Sequence, residues 1–208
     1  DVYKRQAIIS YILGSIPNAY LIGKYFFNMD IRNLGSGNVG STNALRNFGK
    51  KAGITTLICD ALKGFIAVLI ADKLNVEHAV AVSLVFVVLG HMYSVFLNFK
   101  SGKGVATSFG ALLYIDIKFV LILVGIFILV VLFSRMVSLG SILAAISAIF
   151  IGYFYFGLSD IFYAVLIICA LIVYKHRANI NRIINHEESK ISVSYTHLEP
   201  TRLGMISY

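Results

Sequence analysis

Apolar residues fall into seven long runs, near 7–27, 54–71, 79–97, 105–115, 119–133, 137–156 and 160–174, with short polar connections between them. No other feature constrains the fold as much. Inside hydrocarbon a backbone amide finds no water, so a spanning segment must satisfy its own hydrogen bonds. A helix crossing a bilayer core needs about 20 apolar residues, and most of these runs meet that length. The composition agrees: 58% hydrophobic and 13% charged residues exclude an ordinary soluble enzyme. The expected fold class is an all-α integral membrane protein.

The run at 105–115 is short for a span, and loop charge decides how it is read. Loops 28–53 (Arg32, Arg46, Lys50, Lys51), 98–104 (Lys100, Lys103), 134–136 (Arg135) and the segment after 174 (Lys175, Arg177, Arg182) are positive. The connections at 72–78, 115–118 and 157–160 are neutral or acidic. Positive loops stay on the cytoplasmic side, and the two sets alternate only if 105–115 crosses. Seven transmembrane helices follow, with the N-terminus outside and the C-terminus cytoplasmic. The net charge of +8 therefore reports topology rather than a nucleic-acid partner. Cys59 and Cys169 lie inside apolar runs and offer neither a disulfide framework nor a metal site. Residues 1–6 and 192–208 differ in texture from the helices and resemble translated adapter readthrough. They are expected to be non-native flanks of a single membrane domain over 7–191.

Any chemistry must then sit in short loops and helix ends. The first loop reads Gly35-Ser36-Gly37-Asn38-Val39-Gly40-Ser41-Thr42-Asn43-Ala44-Leu45-Arg46. It satisfies G-x-G-x-x-G literally, but no strand precedes it, so a dinucleotide fold is excluded. What remains is anion chemistry: small residues expose backbone N–H groups, Ser36, Asn38, Thr42 and Asn43 add neutral donors, and Arg46 adds a guanidinium fork. The second loop carries Gly90-His91 and Ser101-Gly102-Lys103-Gly104 ahead of an apolar helix. Leu97 stands where a Walker A motif needs glycine, which removes a nucleotide P-loop. A helix N-terminus, glycines and an ammonium still make an anion site. After the last run, His176, Asn179 and Ile183 share one helical face; Arg177 and Arg182 beside them suit anionic lipid as well as catalysis. Asp60 and Lys63, one turn apart inside the second run, are expected to pair.

Three such motifs in this order, with Gly14-Ser15-Ile16-Pro17, Asp60, Lys63 and Gly64, resemble the bacterial acyl-phosphate:glycerol-3-phosphate acyltransferase family (PlsY family) over nearly all of 7–191. The resemblance implies transfer of a fatty acyl group from acyl phosphate to the 1-position of sn-glycerol 3-phosphate. The products would be 1-acylglycerol 3-phosphate and phosphate, in the first acylation of phospholipid synthesis. It implies catalytic roles for Ser36, Arg46, Lys103, His176 and Asn179. Substrate or phosphate binding falls by the same resemblance on Gly35, Gly37, Asn38, Gly40, Asn43, His91, Ser101, Gly102, Gly104 and Glu188. Membrane lipid is the implied surrounding, in the bacterial plasma membrane with the site facing the cytoplasm, and neither metal nor cofactor is expected. Three positions depart from the family: Ser94 where proline is usual, and Ser101 and His186 where glycine is.

The residue inventory fits that chemistry. Both substrates carry phosphate, and two glycine-rich loops with Arg46 and Lys103 supply two anion sites. No His is followed five residues later by Asp, so the His–Asp base of other glycerolipid acyltransferases is not encoded as a motif. A mixed anhydride has a good leaving group, so orientation and charge stabilisation can suffice. An anion transporter would place ionisable groups at the midplane of several helices; here they cluster toward one side. A CDP-alcohol phosphotransferase would need an aspartate-rich metal site, and the aspartates are scattered.

Overall fold

The structure, a computed structural model, describes residues 2–191. Ten α-helices follow one another: α1 Val2–Ser15, α2 Asn18–Phe27, α3 Ser41–Phe48, α4 Lys50–Lys73, α5 Ala79–Met92, α6 Val105–Ile115, α7 Ile117–Ser134, α8 Val137–Phe156, α9 Asp160–Lys175 and α10 Arg177–Ile184. Single 3-10 turns lie at Ile31–Asn33 and Val95–Leu97, and no strand occurs among the described residues. The all-helical membrane fold expected from the apolar runs is what forms. Four segments are long and apolar enough to cross a membrane, Lys50–Lys73, Ala79–Leu97, Ile117–Ser134 and Val137–Phe156; α9 and α10 qualify only together, across a 53° bend. Helix α6 has 11 residues, hence about 16 Å at 1.5 Å per residue. That is roughly half the hydrocarbon thickness.

The first apolar run is not one continuous helix. Pro17 has no N–H and disfavours a helical Ile16 before it, so α1 stops at Ser15 and α2 restarts at Asn18. Residues 2–6 belong to α1, and Gln6 is buried, donating to Ser10 Oγ at 3.0 Å and to Ala67 O at 3.5 Å.

Small residues set how the helices meet, as they do where lipid removes the hydrophobic drive for association. Helices α1 and α5 interlock reciprocally: a Cβ at Gly14 would fall on the carbonyl of Val87, and one at Gly90 on that of Tyr11. Helices α4 and α6 repeat the device, Gly64 against Thr107 O and Gly110 against Ala61 O. Behind them Leu84, Val87 and Val88 of α5 pack with Val165 and Ile168 of α9. By contrast α7 buries only Phe119 and Val120. It leans on α8, and Leu121, Leu129, Leu132 and Phe133 on its outer face are exposed. A smaller cluster of Ile31, Val39, Ala44, Phe48 and Leu97 seats the first loop against α2 and α4.

Candidate active site

One cavity of about 910 Å³ runs from the glycine-rich loops into the bundle. Its wall changes character along its length. At the loop end stand Ser36, Asn38, Arg46, Lys103, His176 and Asn179; farther in, Phe109 and Leu112 of α6, Leu123 and Val124 of α7, Ala145 and Ala148 of α8 and Ile168 of α9 make an apolar groove.

Two helices begin at the polar end from a glycine, without a side-chain cap. Helix α3 starts at Gly40 and α6 at Gly104, and neither cap residue bonds a first-turn N–H through a side chain. Helices α7 and α9, in contrast, are capped by Asp116 and Ser159. The first-turn N–H groups of α3 and α6 therefore remain available beside the cavity, where the helix dipoles favour negative charge. Gly104 adopts φ +84, a conformation that glycine takes without cost, and so turns Lys103 toward α10.

Lys103 donates to Asn179 Oδ1. Asn179 in turn donates through Nδ2 to Glu188 Oε1 at 2.7 Å, an oxygen also reached by Ser138 Oγ at 2.7 Å. Arg182 Nε donates to Glu188 Oε2 at 2.8 Å. This chain of bonds joins the second loop, α10, α8 and the C-terminal segment. The segment is further held by Arg46, which donates to Ser189 O at 3.2 Å, and by Ile191 N, which donates to Arg135 O at 2.8 Å. Burial lowers the Lys103 pKa to about 8; the attraction of Glu188 opposes the shift, while Arg182, Arg46 and Lys175 reinforce it. For Glu188 burial works upward, but the hydrogen bonds from Ser138, Asn179 and Arg182 outweigh it and hold the carboxyl below its usual range. His176 turns Nδ1 to Ile172 O at 2.8 Å. As a carbonyl only accepts, Nδ1 carries the proton and Nε2 is left for other partners.

Most residues expected from sequence meet at this cavity. Gly35, Ser36, Asn38, Gly40, Asn43 and Arg46 line it from the first loop, His91, Lys103 and Gly104 from the second, and His176, Asn179 and Glu188 from the third segment. Gly37, Ser101 and Gly102 do not border it. Several of those expected to bind substrate also hold one another and the loops in place. Asn43 is the hub of the first loop: its Nδ2 reaches Leu34 O and Asn38 O, both at 3.0 Å, and its Oδ1 accepts from Asn47 Nδ2 at 2.9 Å. Both oxygens of Glu188 accept from protein donors. His91 faces Asp60, with Nδ1 3.6 Å from Oδ1. Asn47, Ser138, Ser141 and Ser189 also line the cavity without having been singled out. Asn47 was legible in principle, four residues after Asn43 on one helical face; Ser138 and Ser141 lie in an apolar run with no local signal. Among the described residues no three His, Cys, Asp or Glu side chains gather as a metal site. The arrangement suits a molecule with an anionic head and a long apolar body, next to room for a second anion.

Known proteins share this sequence and shape. The family model described as "Glycerol-3-phosphate acyltransferase" matches residues 6–186. A glycerol-3-phosphate acyltransferase of Prochlorococcus marinus (strain MIT 9312) is 43% identical over 187 residues, 88% of this chain and 95% of that protein. One of Endomicrobium trichonymphae is 45% identical over 188 residues, 89% of this chain and 94% of that one. The crystal structure of PlsY (YgiH), an integral membrane glycerol 3-phosphate acyltransferase in its glycerol 3-phosphate form, superposes with a TM-score of 0.88 at 39% identity, covering 92% of this chain and 96% of that chain. Its lysophosphatidic acid form gives a TM-score of 0.84 at 38% identity, with the same coverage. With the family model matching nearly the whole length and relatives above 40% identity along it, the chain belongs to the glycerol-3-phosphate acyltransferase family.

Proposed function

We propose that the protein acylates the 1-position of sn-glycerol 3-phosphate with a fatty acyl group from acyl phosphate, releasing 1-acylglycerol 3-phosphate and inorganic phosphate. The observation that carries this reading is a cavity in which the uncapped N-termini of α3 and α6, Arg46 and Lys103 open directly into an apolar groove. The two loops receive the two phosphates, and the acyl chain lies between α6, α7, α8 and α9. Ser36, Asn179 and Nε2 of His176 orient the acceptor alcohol and the reacting carbonyl. The glycerol hydroxyl oxygen bonds the acyl carbon as that carbon releases the phosphate oxygen, and the hydroxyl proton passes to a phosphate oxygen. Charge on the carbonyl oxygen and the departing phosphate is met by Lys103, Arg46 and backbone N–H groups, so orientation and fixed dipoles supply the rate enhancement.

The same reading sets the membrane arrangement. Residues 7–191 work as one domain with seven crossings, the interrupted α1 and α2 counting as one and the short α6 as another. The N-terminus lies outside, and the polar end of the cavity opens to the cytoplasm of a bacterial plasma membrane. Loop charge supports this, since Lys100, Lys103, Arg46 and Arg182 all sit at that end.

Purified protein given glycerol 3-phosphate and acyl phosphate is expected to form 1-acylglycerol 3-phosphate and phosphate in equal amounts without added divalent metal. Acyl-CoA should not replace acyl phosphate, since a thioester needs a better-activated hydroxyl. Robust acyl-CoA turnover would overturn the donor assignment.

A further inference from the structure

Asp60 and Lys63 lie 3.0 Å apart on α4 and are both nearly sealed from solvent. Such a pair is costly unless its remaining donors and lone pairs are used. They are used on one feature, the interruption of the first apolar run. Nζ of Lys63 donates to Ile16 O at 2.8 Å, and Nδ2 of Asn18 donates to Asp60 Oδ1 at 2.9 Å. The neighbouring carbonyl, Ser15 O, accepts from Ser94 Oγ at 2.5 Å. The carbonyls at the interruption are thus met by side chains from α4 and from the end of α5, Ile16 O also accepting from Asn18 N at 3.2 Å.

The assembly continues toward the phosphate loops. His91 presents Nδ1 to Asp60 Oδ1 at 3.6 Å. Its other ring nitrogen packs against Gly102 so closely that a Cβ there would overlap it, and the same Cβ would lie 2.7 Å from Val39 O of the first loop. His91 and Asp60, which no sequence spacing relates, thus face each other in space without closing a hydrogen bond. The Nε2 of His91 lies against the backbone of Gly102.

Resting on the assignment of Lys103 to a substrate phosphate, we infer that Asp60, Lys63 and His91 are positioning residues: braced on the interruption at Ile16, they prop Gly102 and set the place of the Lys103 ammonium against the first loop. The pair acts through His91, and His91 through the backbone of Gly102.

Steady-state kinetics of the full chain, varying glycerol 3-phosphate at saturating acyl phosphate, tests this. Asp60→Asn/Lys63→Met removes the ion pair whole, the change that buried pairs tolerate best, and folding is checked by thermal unfolding in detergent. The expected result is a KM for glycerol 3-phosphate raised about tenfold with kcat changed far less, the loss of one well-placed charge-assisted contact. His91→Ala should do the same, and His91→Gln, which restores a prop of similar reach, should recover most of the loss. In a Lys103→Ala background the double change should add less than about twofold, because coupled residues are non-additive. Lys103→Ala alone separates the two ideas: if it leaves KM unchanged, the phosphate assignment fails; if it raises KM while the Asp60, Lys63 and His91 variants do not, only the positioning role fails. An equal rise in both backgrounds, or a collapse of kcat at constant KM in His91→Ala, also overturns it. Should the double variant not fold, the two His91 variants decide alone.

Discussion

The Lys103 ammonium donates to the side-chain oxygen of Asn179, 76 residues away in sequence. The amide of Asn179 faces both ways, receiving from Lys103 and giving to Glu188. An amide serves here where the isosteric carboxylate would not, since an ionised carboxylate accepts but cannot donate.

Asn179→Ala is therefore expected to lower kcat/KM by ten- to a hundredfold, because it frees Lys103 and leaves Glu188 one donor short. Asn179→Asp should be as damaging despite its shape, as it sets two carboxylates against each other. Initial rates at limiting glycerol 3-phosphate measure both, and near-wild-type values for Asn179→Asp would show that the amide is not a relay.

Arg46→Ala and Lys103→Ala should each cost ten- to a hundredfold or more in kcat/KM, a charge-assisted hydrogen bond being worth about 1.5–3 kcal/mol. Lys100→Ala and Arg135→Ala should cost less than about threefold, since neither side chain borders the cavity. The same assay on membranes with equal protein content compares the four.

The pH dependence of affinity should follow Lys103. Its pKa is lowered to about 8, so its charged fraction falls roughly tenfold between pH 7 and 9, while a phosphate monoester, with its second pKa near 6, stays dianionic. KM for glycerol 3-phosphate should rise over that window. Lys103→Arg, always protonated, should flatten the profile. Stability moves oppositely: between the folded pKa and the unfolded value of 10.5 the unfolded chain holds more protons, so Lys103 adds to stability as pH rises. Thermal unfolding and KM against pH read the two signs independently.

His186 follows α10 with φ +59, the left-handed conformation that favours glycine at a helix end. His186→Gly should stabilise the protein by about 1 kcal/mol with activity unchanged. Thermal unfolding in detergent measures it, and a lower midpoint would show that the imidazole holds something the backbone argument omits.

Single cysteines at Ser101 and Asn185, placed in a background lacking Cys59 and Cys169, should resist an impermeant thiol reagent in intact cells and react after permeabilisation. Labelling of either from outside would reverse the proposed orientation.

The sequence by itself determined what local spacing can encode. Long apolar runs required helices in lipid, because no other local structure satisfies their amides there. Glycines beside Arg46 and Lys103 marked the anion loops, and Asp60 and Lys63, one turn apart, met as expected. Pro17 was visible too, yet its break in the first run became meaningful only once Lys63 was found on Ile16 O. Tertiary structure alone decided the rest: that Asn43 holds its own loop, that His91 turns to Asp60, and that Glu188 takes Ser138 from an apolar helix. These contacts join side chains up to 50 residues apart. They depend on the rotation and height at which helices lock through Gly14, Gly64, Gly90 and Gly110, and a hydrophobic period specifies which face turns inward without specifying the neighbour it meets.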